Sequence, residues 1–134
     1  MNNFIIGEEY PWAAVAAVHR ARNGIYQSRG RLVSLLTDMG RINACYPDFH
    51  GETNGVIHYT GSGRRGDQRL DAANRALLDA VETAHAVPLF NKIAVNRWLY
   101  LGIFRVLDGA YVRDGTLERM VWKFTLKRQE TESC

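Results

Sequence analysis

From Leu70 to Ala84 the apolar residues Leu70, Ala73, Leu77, Ala80, Val81 and Ala84 recur at intervals of three and four. That is the stripe of an amphipathic helix, and Asp67 stands where it would cap the start. The flanking patterns are those of strands. G-V-I-H-Y-T (55–60) is β-branched and aromatic and runs into a G-S-G turn at 61–63. A-V-P-L-F (86–90), W-L-Y-L-G-I-F-R-V-L (98–107) and M-V-W-K-F-T-L-K (120–127) follow the helix. The last alternates Met120, Trp122, Phe124 and Leu126 with Val121, Lys123, Thr125 and Lys127, which predicts one buried and one largely polar face. The middle one is apolar on both faces, as a central strand is.

Upstream the pattern is less regular. Pro11, followed by W-A-A-V-A-A-V-H-R-A-R and then Gly24, reads as a short helix, with proline at its first turn, arginines at its C-terminal end and glycine as its stop. R-L-V-S-L-L-T (31–37) and I-N-A-C-Y (42–46) read as strands, and the Pro-, Asp-, Asn- and Gly-bearing stretch 47–55 as a loop. Several strands with one or two helices, ending in consecutive strands, argue for an α+β fold with a mostly antiparallel, curved sheet.

At 134 residues the chain is expected to be one domain spanning 1–134, and 46% hydrophobic content is globular. No apolar run reaches the roughly 18 residues a membrane helix needs, and the N-terminus lacks a signal-peptide layout. A soluble, cytoplasmic protein with no membrane partner is therefore expected. Cys45 and Cys134 form no C-x-x-C, which argues against a disulfide framework and a thiolate metal site. The formal net charge is only +3, but fourteen of the seventeen cations are arginine. The guanidinium fork suits phosphate and guanine edges. Arg20, Arg22, Arg29, Arg31 and Arg41 cluster against the single acid Asp38 between residues 19 and 41. A solvated surface explains the cluster equally well on charge count alone.

Common catalytic motifs are missing: there is no P-loop, no G-x-G-x-x-G between strand and helix, no G-x-S-x-G and no H-E-x-x-H. His19, His50, His58 and His85 lack metal-ligand spacing. A hydrolase built on Asp48 with His50 or His58 stays open as an alternative, although nothing else supplies a nucleophile or metal. No metal, cofactor or catalytic residue is expected.

Residues 58–77 carry Tyr59-Thr60-Gly61-Ser62-Gly63, then Asp67-Gln68-Arg69-Leu70, then Asn74-Arg75-Ala76-Leu77. In that order they resemble the Y-T-G-S-G, D-Q-(K/R)-L and N-R-A-L motifs of the SRA (SET- and RING-associated, or YDG) domain, which recognises modified cytosine in DNA. Tyr100-Leu101-Gly102-Ile103-Phe104 is similar to the family's Y-D-G-I-(Y/F) strand, with Leu101 in place of aspartate. The run from Met120 to Arg128 is similar to its L-V-W-(R/K)-(Y/F)-x-L-(K/R)-R strand.

The resemblance implies a PUA-like twisted, mostly antiparallel β-barrel with flanking helices. It also implies a mechanism in which the modified base leaves the duplex, is sandwiched between two tyrosines and has its Watson–Crick edge read by an aspartate. Tyr59 matches one tyrosine, with Thr60 beside it. Tyr46-Pro47-Asp48-Phe49 resembles the pocket loop, giving Tyr46 as the second ring and Asp48 as the reader, with Phe49 as the alternative ring. Gly61, Ser62, Gly63, Arg64 and Arg65 would hold the DNA backbone. Eukaryotic members insert a finger after the glycine turn to fill the gap in the helix. Here only Arg64, Arg65 and Gly66 stand there, so the 19–41 arginines, with Arg29 and Arg31, become the candidates to reach the DNA.

Structural roles compete for several of these positions: Asp67 as a helix cap, Asn74 and Arg75 as ties from helix to sheet, Trp98, Tyr100 and Trp122 as core. His58, pointing to the other sheet face, is given no role. The expected partner is double-stranded DNA containing 5-methylcytosine or 5-hydroxymethylcytosine. By the resemblance, the chain is the recognition domain of a bacterial modification-dependent restriction endonuclease, fused to or associated with a nuclease. The polar Q-E-T-E-S-C tail suits an excised or natural single domain. The runner-up is a PUA-like RNA-binding module.

Overall fold

A computed structural model describes residues 3–129; Cys134 and the polar tail from residue 130 lie outside them. The elements in chain order are β1 (Glu9–Tyr10), α1 (Trp12–Ala16), β2 (Ile25–Ser28), β3 (Arg31–Thr37), β4 (Phe49–His50), β5 (Val56–Thr60), α2 (Ala72–Thr83), β6 (Ala86–Ala94), β7 (Arg97–Asp114) and β8 (Arg119–Arg128). They form one sheet in the order β2-β3-β6-β7-β8-β5-β4, with β1 paired to β7. All pairs are antiparallel except β3 with β6. The sheet is open: among the described residues β2 and β4 stand at its two edges and do not pair, so the expected closed barrel is not formed.

Both sheet faces are covered. Leu77, Ala76 and Ala80 of α2 pack on Leu35, Leu89, Phe104, Val106, Phe124, Leu126 and Tyr59. On the opposite face, Val15 of α1 packs with Phe90, Trp98 and Tyr100. Strand β7 serves both cores between Trp98 and Val106, which is why that stretch is largely apolar on both faces. A bulge makes this possible: Leu89 pairs with Gly102 but Phe90 with Tyr100, so Leu101 is the extra residue. Gly102 has φ +118°, and a Cβ there would press on Arg128 and Ile6 at about 3 Å. Phe104 and Val106 thus face one core while Trp98 and Tyr100 face the other. Leu101, standing where the family has aspartate, packs against the α2 side.

Four expectations need correction. The first helix ends at Ala16, not Arg22, because His19 is buried and ties the chain into a loop: its ring nitrogens lie 2.7 Å from Ser34 Oγ and 2.7 Å from the Asn23 carbonyl. Segment 42–46 is a loop, since the Asp38 carboxylate accepts from the backbone N–H groups of Gly40 and Asn43 and turns the chain there. Helix α2 is capped by Asp71, which accepts from Asn74 N at 2.8 Å; Asp67 instead accepts from Met120 N. The polar face assigned to β8 also fails at Val121, which is fully buried. Trp98 and Tyr100 are buried, and Trp122 is half-buried against the larger core.

Candidate nucleic-acid interface

A cavity of about 390 Å³ opens where the ends of β3 and β5 meet the 22–25 segment and the 43–48 loop. Its lining includes Tyr46, Asp48, Tyr59, Thr60, Gly61, Ser62 and Arg64. Residues from two separate motifs, the Tyr46-Pro47-Asp48 loop and the Tyr59–Arg64 strand and turn, thus reach one space. Arg22, Asn23, Thr37, Asp38, Lys92 and Trp98 complete much of its wall.

Tyr59 is held from behind. Its ring belongs to the larger core, and its phenol donates toward the carbonyls of Leu36 and Gly24 at 2.8 and 3.2 Å. Burial pushes its ionisation well above the ordinary tyrosine value, so the ring stays neutral. Tyr46, in the same lining, is half-buried on a turn where its N–H donates to the Asn43 carbonyl.

Asp48 is buried at 5% exposure, and both carboxylate oxygens are anchored. Oδ2 accepts from the Thr37 hydroxyl at 2.6 Å and Oδ1 from the Thr60 backbone N–H. Burial raises its pKa to about 6, against the lowering effect of the Thr37 and Thr60 bonds and of the Lys123 charge. At neutral pH it is therefore a buried, largely ionised acceptor with unused lone pairs.

The glycine turn is braced by residues that motif reading did not assign to the site. Gln68, buried, donates from Nε2 to the carbonyls of Gly61 and Gly63 at 2.7 and 3.0 Å and accepts from Trp122 N. Asn74 accepts from Ser62 N and donates to Ser62 O, so it ties α2 to the turn. Arg119, also buried, donates to the Gly63, Gly66 and Cys45 carbonyls and so joins the turn to the opposite loop. Gly61 must be glycine, because a Cβ would overlap the Asn74 side-chain oxygen and approach Trp122 Cβ within 2.9 Å. Lys123, Thr37, Gln68 and Arg119 escaped notice because three of them act on backbone carbonyls, which leave no pattern in a sequence.

Other expected site residues are not brought to the cavity. Phe49 is 51% exposed and stacks on His58 at 4.8 Å, outside the lining, so of these two rings Tyr46 lines the cavity and Phe49 does not. Gly63 and Arg65 sit in the turn but not in the wall. Arg29 and Arg31 lie at the tip of the β2–β3 hairpin, with Arg29 in the left-handed region at φ 54°. The cavity uses the other end of that hairpin, about 20 Å away along a seven-residue strand. His50 and His58 do not line the cavity either, and among the described residues no three His, Cys, Asp or Glu side chains gather to hold a metal.

The cavity mouth is cationic. Arg22, Arg64 and Lys92 line it, and the ion pair found among the described residues, Arg97 with Glu9, involves none of them. Lys92 lies over the Trp98 ring at 5.8 Å. No described helix is long and apolar enough to cross a membrane.

No curated protein sequence matches the chain. Solved structures do. The SUVH5 SRA domain in complex with hemimethylated CG DNA has 23% identity and a TM-score of 0.80, covering 100% of this chain and 94% of that one. The same domain bound to fully hydroxymethylated CG DNA has 24% identity and a TM-score of 0.74 over 97% and 92%. The modification-dependent restriction endonuclease TagI has 17% identity and a TM-score of 0.77, covering 96% of this chain but 51% of TagI. At these identities the likeness is one of fold. A family model described as the ScoMcrA-like SRA domain matches residues 7–132, and with nearly the whole chain matched, the protein belongs to the SRA domain family.

Proposed function

We propose that this protein is a DNA-binding module that recognises 5-methylcytosine or 5-hydroxymethylcytosine by base flipping, without catalysis of its own. The observation that carries the reading is the cavity, in which Tyr46, Tyr59 and the buried acceptor Asp48 share one space behind a cationic mouth. Similarity to SRA domains solved with methylated and hydroxymethylated DNA supports it. Extruding a base costs a few kcal/mol, and stacking on aromatic rings returns about 1–3 kcal/mol per base. The Asp48 carboxylate accepts from the cytosine amine, while Arg64 and Arg65 hold phosphates; the Gly61 and Ser62 N–H groups are already taken by Trp122 O and Asn74 Oδ1. Arg22, the member of the 19–41 arginine cluster that lines the cavity, is our candidate to occupy the gap left in the duplex. The open sheet is read as a PUA-like one.

The biological setting follows from the likeness to TagI, of which the chain spans about half. We infer a recognition domain, 1–134, that works with a separate nuclease domain or partner in a bacterial cytoplasmic restriction system.

The test is a duplex series differing at one cytosine, unmodified, methylated or hydroxymethylated, with 2-aminopurine beside that position. Preference for the modified duplexes with a rise in 2-aminopurine fluorescence is expected. Preference without the rise would remove the flipping mechanism, and tighter binding to matched RNA would favour an RNA-binding module.

A further inference from the structure

Thymine carries the same 5-methyl group as 5-methylcytosine, so a pocket that senses the methyl must tell the two apart by their edges. The cytosine edge offers an amine donor where thymine offers the O4 carbonyl. An ionised carboxylate accepts from the amine and repels O4. A protonated carboxyl can turn its O–H toward O4 and accept thymine. Discrimination therefore depends on the charge state of Asp48.

Lys123 is placed to govern that charge without touching it. It extends from β8 where Lys123 pairs with Thr60 of β5. Its Nζ donates to the Thr60 hydroxyl at 2.5 Å and to the Pro47 carbonyl at 3.1 Å. With its lone pair occupied by the ammonium, the Thr60 hydroxyl turns its proton toward Asp48, whose carboxylate also takes the Thr60 N–H. The Pro47 bond fixes the loop that carries Tyr46 and Asp48. Lys123 on β8 is the charge that acts on Asp48; Asp38 after β3, Tyr46 on the loop, Tyr59 on β5 and the cations Arg22, Arg64 and Lys92 share the cavity wall with it, and Asp114 of β7 acts on Lys123. Arg119 reaches the same loop only through the Cys45 carbonyl. Lys123 is thus the cation that bears on Asp48.

We propose that Lys123 is a specificity-determining positioning residue, which through Thr60 and Pro47 keeps Asp48 placed and ionised so that the pocket accepts 5-methylcytosine and rejects thymine. The proposal rests on the reading of the cavity as a modified-cytosine pocket. It does not restate that reading, because Lys123 neither lines the cavity nor meets the base.

The test pairs two measurements on the wild type, Lys123→Met and Lys123→Arg. The first follows the Asp48 carboxyl by carbon NMR across pH 5 to 8.5 without DNA. The second measures the affinity ratio between two duplexes that differ only in 5-methylcytosine or thymine opposite the same guanine. In the wild type the carboxyl is expected to titrate near pH 6 and the ratio to collapse at the same pH. Lys123→Met is expected to move both midpoints to pH 7 or above and to lower the ratio at pH 7 about tenfold, while Lys123→Arg keeps the wild-type profile. A folded Lys123→Met protein with both midpoints unmoved overturns the proposal. If the carboxyl midpoint moves but the wild type binds modified and unmodified duplexes alike, the cavity reading fails instead, and the link between Lys123 and Asp48 stands.

Discussion

The phenolic oxygen of Tyr59 and the carbonyl oxygen of Gly24 lie 3.2 Å apart, so the aromatic wall of the cavity is fastened to the loop that carries Arg22. Tyr59 is therefore both core and cavity wall. Tyr59→Ala would open a core void costing about 3–5 kcal/mol, a large share of a small domain's stability. Tyr59→Phe keeps the ring and loses only the two phenol contacts. It is expected to retain methylcytosine preference with a small drop in melting temperature.

Tyr46 separates stacking from stability. It is half-buried and belongs to neither core cluster. Tyr46→Ala should leave thermal unfolding nearly unchanged while losing roughly 1–3 kcal/mol of stacking, a fall of about 5- to 150-fold in affinity for the methylated duplex. Unmodified duplex, held by phosphate contacts, should bind almost as before. Calorimetry beside a fluorescence titration checks both halves.

Asp48 links recognition to stability. Its pKa rises from 3.8 to about 6 on folding, chiefly through burial. The folded state thus holds the proton more tightly, and the resulting stability is complete below about pH 4 and lost as pH rises through 6. The amount is on the order of 3 kcal/mol. Asp48→Asn, neutral throughout, should flatten that part of the pH–stability curve and be more stable than wild type at pH 8 by chemical denaturation. It should also lose discrimination between methylcytosine and thymine, because an amide presents both a donor and an acceptor.

Gln68 predicts a different signature. Its amide holds two turn carbonyls and one strand N–H from a fully enclosed position. Gln68→Ala should destabilise the fold by about 2–3 kcal/mol in urea titrations. Affinity for modified and unmodified duplexes should fall in parallel, since the turn is read as a backbone contact.

Much of this was visible in the residue order. The α2 stripe and strands β3, β5, β6, β7 and β8 rest on local periodicity or contiguous motifs, while the pairing of Asp48 with Tyr59 comes from the family resemblance of two separate motifs. What escaped depends on distant contacts. Ile25–Ser28 offers only two apolar residues and becomes a strand by pairing with β3. The helical run after Pro11 has strong local propensity, which the buried His19 bonds to Ser34 and Asn23 override. Leu70 fits the helical stripe by spacing but is 39% exposed, because Asp71 caps one residue later. Lys123 looked like a solvent-facing strand residue until β5 placed Thr60 beside it.

Arg22 and Arg65 test the division between filling the duplex and holding its backbone. Arg65 is exposed on the turn and does not line the cavity, so it is assigned to phosphate alone. Arg65→Ala should weaken all duplexes about equally and reduce the slope of log affinity against log salt by about 1. Arg22 stands at the cavity wall, on the loop that His19 and Tyr59 both hold. If it occupies the position the base vacates, Arg22→Ala penalises only the flipped complex. The affinity ratio between methylated and unmodified duplexes should then fall at every salt concentration, and the 2-aminopurine signal with it. Equal weakening of both duplexes with a reduced salt slope would make Arg22 another phosphate contact and leave the gap to be filled by a different residue.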